Sequence, residues 1–255
     1  MNGNKPKMSI KDNFEYIKEE IAKAAEKSGR SADDVLLLAV TKLHSPEEMN
    51  EVIDAGATDI GENKVQEVLA KYDRVKPAKW HLIGHLQTNK VRQIIDKVVM
   101  IQSVDSLHLA KEIEKRAAQA DIRMDILIQI DPAEQETKFG VAPAELDDLI
   151  KAIAAECPHI TVKGLMAIAP FVDDPEEARP FFREVKKIYD RCRENEVAGV
   201  YTPEGTSEEE TAGVDMKVLS MGMTNDFRVA VEEGSTMVRV GTAIFGARDY
   251  RSEEK

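Results

Sequence analysis

Apolar residues recur along this chain at two periods, and the switches between them divide it into alternating short and long segments. Residues 11–30 carry Phe14, Ile17, Ile21 and Ala24 at helical spacing, which predicts an amphipathic helix. From residue 35 onward, aliphatic and β-branched runs alternate with longer charged segments of helical period. Strands are predicted at 35–40, 58–60, 80–83, 98–103, 124–130, 160–166, 218–221 and 237–240. Helices are predicted between them at 46–55, 64–72, 90–96, 107–120, 143–155, 175–193 and 224–233, with a short one after the last strand. One start is marked locally: Ser45-Pro46-Glu47-Glu48 is a capping box with proline at the first helical position, and Gly56 stops that helix.

Eight strands that read as near-continuous apolar runs, each followed by a helix, imply a parallel sheet buried under helices. Eight such units in roughly 220 residues is the arithmetic of a closed (β/α)8 barrel, a TIM-type α/β fold, near the small end of its size range. The barrel is placed at about residues 35–247, with an extra N-terminal helix at about 11–30 and a single domain over 1–255. An open doubly wound sheet is the alternative. It predicts a glycine fingerprint after the first strand, where the chain has Thr41-Lys42-Leu43-His44.

Composition narrows the partners. The 255 residues are 42% hydrophobic and 32% charged, enough apolar content to bury a sizeable core. A net charge of −12 repels phosphate backbones and anionic lipid surfaces, so neither nucleic acid nor membrane is expected as a partner. The acidic run at 204–210 reads as a solvated loop. Two isolated cysteines, Cys157 and Cys192, suit a reducing compartment, no apolar stretch approaches the ~20 residues of a membrane span, and residues 1–8 lack a signal-peptide core. A cytoplasmic protein is expected, and a monomer.

In a barrel of this kind, chemistry collects at the C-terminal ends of the strands. The first strand ends at Lys42, a lysine directly behind a buried run, where desolvation can make the amine nucleophilic toward aldehydes. Later ends offer Asn63, His81, Ser103, Asp131 with Lys138, and Met166. The last two offer Ser220-Met221-Gly222 and Gly241-Thr242, small turns of the kind that hold phosphate after strands seven and eight. An amine at Lys42 and a phosphate at those turns fit one ligand, pyridoxal 5′-phosphate, whose aldehyde forms a Schiff base with lysine. Arg239 is placed to reach the pyridine nitrogen. Each residue also has a plainer reading: a snorkelling lysine, turn-forming Ser220 and Thr242, an ion-paired Arg239, methionines as core filler. His81 and His85 have the spacing of a metal pair only on a helix, so no metal is expected.

Several segments together resemble one family. Leu38-Ala39-Val40-Thr41-Lys42, Gly61-Glu62-Asn63-Lys64-Val65-Gln66-Glu67 and Trp80-His81-Leu82-Ile83-Gly84-His85-Leu86-Gln87-Thr88-Asn89-Lys90 are three of them. Gly164-Leu165-Met166-Ala167-Ile168, Leu219-Ser220-Met221-Gly222-Met223 and Val238-Arg239-Val240-Gly241-Thr242-Ala243-Ile244-Phe245-Gly246 complete the set. In this order they are similar to the pyridoxal phosphate homeostasis proteins, whose fold is the amino-terminal barrel of alanine racemase. The resemblance implies that Lys42 carries the Schiff base and that Asn63, His81, Ser103 and Met166 line the ring pocket. It also implies that Arg239 meets the pyridine nitrogen, while Ser220, Met221, Gly241 and Thr242 surround the phosphate. The chain departs from the family pattern at Thr41 and Thr224, where serine is common, and at Lys64, where tyrosine is.

The resemblance further implies a carrier of pyridoxal phosphate in vitamin B6 homeostasis without established catalysis, with apo-enzymes that need the cofactor as recipients. The alternative is a racemase or lyase. An arginine at the pyridine nitrogen makes the ring a poor electron sink, and a two-base racemase needs a second base that the tyrosines here do not supply. No catalytic residue is therefore assigned.

Overall fold

The computed structural model describes residues 8–132, 139–203 and 213–246. Its centre is a closed, all-parallel barrel in which every strand pairs with the next and the eighth returns to the first. The strands are β1 (Leu36–Val40), β2 (Asp59–Glu62), β3 (Lys79–Leu82), β4 (Met100–Val104), β5 (Met124–Gln129), β6 (Ile160–Met166), β7 (Val214–Met223) and β8 (Met237–Val240). The helices are α1 (Ile10–Lys27), α2 (Pro46–Asp54), α3 (Val65–Lys71), α4 (Val91–Ile94), α5 (Leu107–Ala120), α6 (Leu146–Glu156), α7 (Arg179–Val197), α8 (Phe227–Glu232) and α9 (Thr242–Phe245). The expected barrel is therefore the observed one.

Alternation sorts the strand residues into two layers. In β1, Leu37 and Ala39 pack outward against the helices, whereas Leu38 and Val40 face inward with Met100, Leu127, Met166 and Met237. Closure at the seam sets Leu38 opposite Arg239 and Ala39 opposite Val240. The two ends of the sequence thus supply neighbouring strands.

The helix after β8, α9, is a single turn and cannot cover that seam by itself. The N-terminal helix takes the place. Ser9 and Asp12 form its capping box, with both reciprocal bonds at 3.1 Å, and Phe14, Ile17 and Ile21 are its buried stripe. Asn13 donates to the carbonyl of Ile244 in α9 at 2.8 Å, and Glu20 accepts from Arg228 in α8 at 2.6 Å.

Two elements differ usefully from the sequence-based expectation. β7 is ten residues long rather than four, because polar Asp215 and Lys217 hide its first half; Asp215 pairs with Lys163 of β6 at 2.8 Å. α8 starts at Phe227 rather than near 224, because the Asp226 carboxylate accepts the Met223 N–H at 2.6 Å and folds 223–226 into a turn. Thr224 and Asn225 consequently lie in a loop at the barrel mouth. The acidic run at 204–210, Lys138 and Tyr250 lie outside the described residues.

Candidate functional site

Lys42 lies two residues past Val40, the last residue of β1, in a turn at the mouth of the barrel, and is half-buried. The residues on either side are fixed from behind. Thr41 is fully buried; its N–H bonds to the Gly61 carbonyl at 3.0 Å and its hydroxyl donates to Glu62 Oε1 at 2.7 Å. Leu43 has φ +66°, a left-handed conformation costly for a branched side chain, and its N–H donates to Glu67 Oε2 at 2.6 Å.

Below this rim the barrel interior holds a hydrogen-bonded chain across five strands. Arg239 of β8 donates from Nη1 to Ser220 Oγ at 2.7 Å and from Nη2 to the Ala167 carbonyl at 2.9 Å. Ser220 of β7 donates to Gln102 Oε1 at 2.8 Å. Gln102 of β4 turns its Nε2 to His81 Nδ1 at 3.1 Å, and His81 of β3 places Nε2 2.9 Å from Asp59 Oδ1 on β2. A guanidinium can only donate and a carboxylate can only accept, so the chain has one consistent direction, which puts the imidazole proton on Nε2. The guanidinium and the carboxylate sit at the two ends of the chain.

Burial acts on both ends. Desolvation lowers the Arg239 guanidinium to about 10, against which the charge of Asp226 pulls it up. It remains cationic at neutral pH while only 4% exposed. Burial pushes the Asp59 carboxyl up, but the hydrogen bonds from His81 and Thr58 outweigh it and hold the group below its usual range.

The other expected residues divide by depth. Met166 is buried in the interior cluster, whereas the Met221 side chain faces outward into the helix layer, leaving only its backbone toward the barrel. Asn63 is half-buried and opens with Lys64 onto a cleft shared by His85, Gln87 and Lys90. Ser103 donates to the Gly84 carbonyl at 2.7 Å. Gly241 is buried against β1, where a Cβ would meet the Val40 carbonyl at 3.1 Å, and Thr242 is exposed at the start of α9. The structure thus brings Lys42, Gly241 and Thr242 to one rim, above Arg239. The Ser220 hydroxyl, expected at the phosphate turn, is engaged with Arg239 and Gln102. His81 and His85 diverge: His81 lies inside the barrel, and His85 stacks on Phe139 with centroids 4.0 Å apart. Among the described residues no group of three potential metal ligands occurs.

Gln102 and Asp59, the middle and the anionic end of the chain, were not among the expected site residues. Their only sequence signal is a polar side chain inside a short apolar run.

The profile of the alanine racemase N-terminal domain family matches residues 13–249. A pyridoxal phosphate homeostasis protein from Aquifex aeolicus (strain VF5) is 41% identical over 246 residues, 95% of this chain and all of that one. The chain belongs to the pyridoxal phosphate homeostasis protein family. A second family member, from Escherichia coli (strain K12), is 35% identical over 94% of this chain and 97% of its own. Among solved structures, an unknown protein from Bifidobacterium adolescentis superposes with a TM-score of 0.78 at 35% identity, covering 92% of this chain and 94% of that one. PipY of Synechococcus elongatus PCC7942, solved with PLP bound, gives 0.73 at 27% identity, covering 93% of this chain and 100% of its own. Alanine racemase from Corynebacterium glutamicum, at 18% identity and a TM-score of 0.61, shares the fold over 61% of its length.

Proposed function

We propose that this protein binds pyridoxal 5′-phosphate at the barrel mouth and holds it for vitamin B6 homeostasis rather than using it in catalysis. One observation carries the reading: an amine at the end of β1 and a buried, cationic guanidinium on β8 occupy adjacent strands of one barrel, beneath small backbone turns. When bound, the cofactor would supply an aldehyde able to condense with a lysine amine, with loss of water. Lys42 is the amine. Arg239 is the donor for the ring nitrogen, and the backbone at Gly241, Thr242 and the turn after β7 surrounds the phosphate. Asn63, His81, Ser103 and Met166 complete the walls.

Arg239 also supports the non-catalytic reading. Its hydrogen-bond chain runs away from it toward Asp59, so nothing in the chain delivers a proton back through the guanidinium. A ring nitrogen facing it stays unprotonated, which weakens the ring as an electron sink. The curated relatives are named for homeostasis rather than for a reaction.

Apo-enzymes that require the cofactor are proposed as recipients. Leu43, Phe139, Ile168 and Phe171 follow strand ends, Met223 is the last residue of β7, and all five are exposed, Phe171 at 82%, which gives the mouth an apolar rim suited to a transient protein contact. A cytoplasmic setting is proposed: Cys157 and Cys192 are both buried free thiols, which fits a reducing compartment, and among the described residues no helix is long and apolar enough to cross a membrane.

The purified protein is expected to absorb at about 420 nm and to be labelled at Lys42 after borohydride reduction. Lys42→Ala should lose both signals; an unchanged spectrum sinks the assignment. Incubation with single L-amino acids in deuterated water should show no catalytic α-proton exchange, and Arg239→Glu should raise whatever exchange exists.

A further inference from the structure

The polar cluster behind Lys42 is not explained by cofactor contacts, since it lies outside the barrel wall, between β1, β2 and α3. Lys71 of α3 is buried and donates three bonds: to Glu67 Oε2 at 2.7 Å, to Glu62 Oε1 at 2.9 Å and to the carbonyl of Thr41 at 3.2 Å. Glu67 Oε2 in turn accepts the Leu43 N–H at 2.6 Å. One ion pair therefore grips both peptide groups that flank Lys42, the carbonyl before it and the N–H after it. The grip has something to hold. Leu43 is left-handed and 44% exposed, so its packing does little to offset a conformation that costs on the order of 1 kcal/mol or more.

We propose that Glu67 and Lys71, backed by Glu62, are positioning residues: their ion pair fixes the backbone turn at 41–43 and thereby sets the direction in which the Lys42 amine enters the barrel mouth. This rests on Lys42 being the residue that captures the aldehyde, and it adds how that amine is aimed. A Glu-to-Lys pair four residues apart is ordinarily a surface feature adding a few tenths of a kcal/mol to a helix. Here the pair is turned inward and spends its hydrogen bonds on another element.

The ionisable groups around the clamp are few. Lys71 and Glu67 come from α3, Glu62 from β2, and Lys64 adds a positive field at Glu67. Burial raises Glu67, but the Leu43 N–H, the Lys71 bond and the two lysine charges hold it below the usual carboxylate range, so Glu67 is a carboxylate at neutral pH.

The test separates aiming from binding. The rate at which added pyridoxal 5′-phosphate is captured is followed at about 420 nm and confirmed by borohydride labelling of Lys42. It should fall about tenfold or more in Lys71→Met and in Glu67→Ala, the scale expected for a misdirected reacting group, and Lys71→Arg should restore most of it. Affinity for 4-deoxypyridoxine 5′-phosphate, which lacks the aldehyde, should change less than about threefold in all three, because ring and phosphate contacts lie elsewhere. Unaltered capture in both variants overturns the proposal; so does an equal loss of analogue binding, which marks a merely structural role. If Lys42→Ala is still labelled, the underlying assignment fails instead. A measurement on the unmodified protein stands apart from folding of the variants. The Leu43 amide proton should be protected from exchange and should shift in acid as Glu67 titrates; rapid exchange of that amide overturns the clamp.

Discussion

Glu62 carries the clearest pH signature among the individual residues. It is fully buried, its Oε1 takes bonds from Thr41 and Lys71, and its Oε2 has no hydrogen-bond partner among the described residues. Burial pushes its carboxyl up to about 7, against the pull of the Lys71 charge. A raised acid binds its proton more tightly folded than unfolded, so stability falls as pH rises from the ordinary carboxylate range through about 7. Glu62→Gln keeps the shape and stays neutral at every pH. Its thermal midpoint should match that of the natural protein near pH 4.5 and exceed it increasingly up to about pH 8, as read by calorimetry; parallel curves would show that Glu62 does not titrate in that window. Residues such as Lys42 and Arg239 are legible in sequence because a cation at an apolar strand has few plain explanations. The Glu67–Lys71 pair is not legible, since only the rotation of α3 about its axis decides whether such a pair meets water or the barrel wall.

At the scale of elements, β6 shows where pattern reading runs out. Ile160 and Val162 face the helices, and strict alternation would send Met166 the same way. A register shift between Val162 and Gly164 reverses the faces, so that Leu165 points out and Met166 points in. The glycine is the only trace of this in the sequence. Gly164 has φ +149°, and a Cβ there would lie 1.8 Å from the Val218 carbonyl on β7. Gly164→Ala should cost about 3 kcal/mol or more in urea unfolding and disturb Met166. A loss below about 1 kcal/mol would show that the bulge relaxes easily. The boundaries of β7 and α8 were hidden for related reasons, since an ion pair and a side-chain turn override the apolar pattern locally. The strong periods of α5 and β8 were read at their observed limits.

For the whole molecule, eight alternations from chain-long hydrophobic patterning, with no glycine fingerprint after the first strand, were enough to name the barrel. The site was only half legible: strand-end residues follow from topology, but the interior chain from Arg239 to Asp59 depends on register across five strands. A ligand held by β1 and β8 together should stabilise the folded form by mass action, about 2.7 kcal/mol at a hundredfold excess over its dissociation constant. The melting temperature should therefore rise with added pyridoxal 5′-phosphate and stay flat in Lys42→Ala and Arg239→Leu variants.

Closure of β8 onto β1 also has a meaning in time. During synthesis Lys42 leaves the ribosome long before Arg239 exists, and the N-terminal helix waits for α8 and α9 before it has a seam to cover. On the proposed assignment, no incomplete chain presents Lys42 and Arg239 together, and a complete site first exists once the last strand has docked on β1.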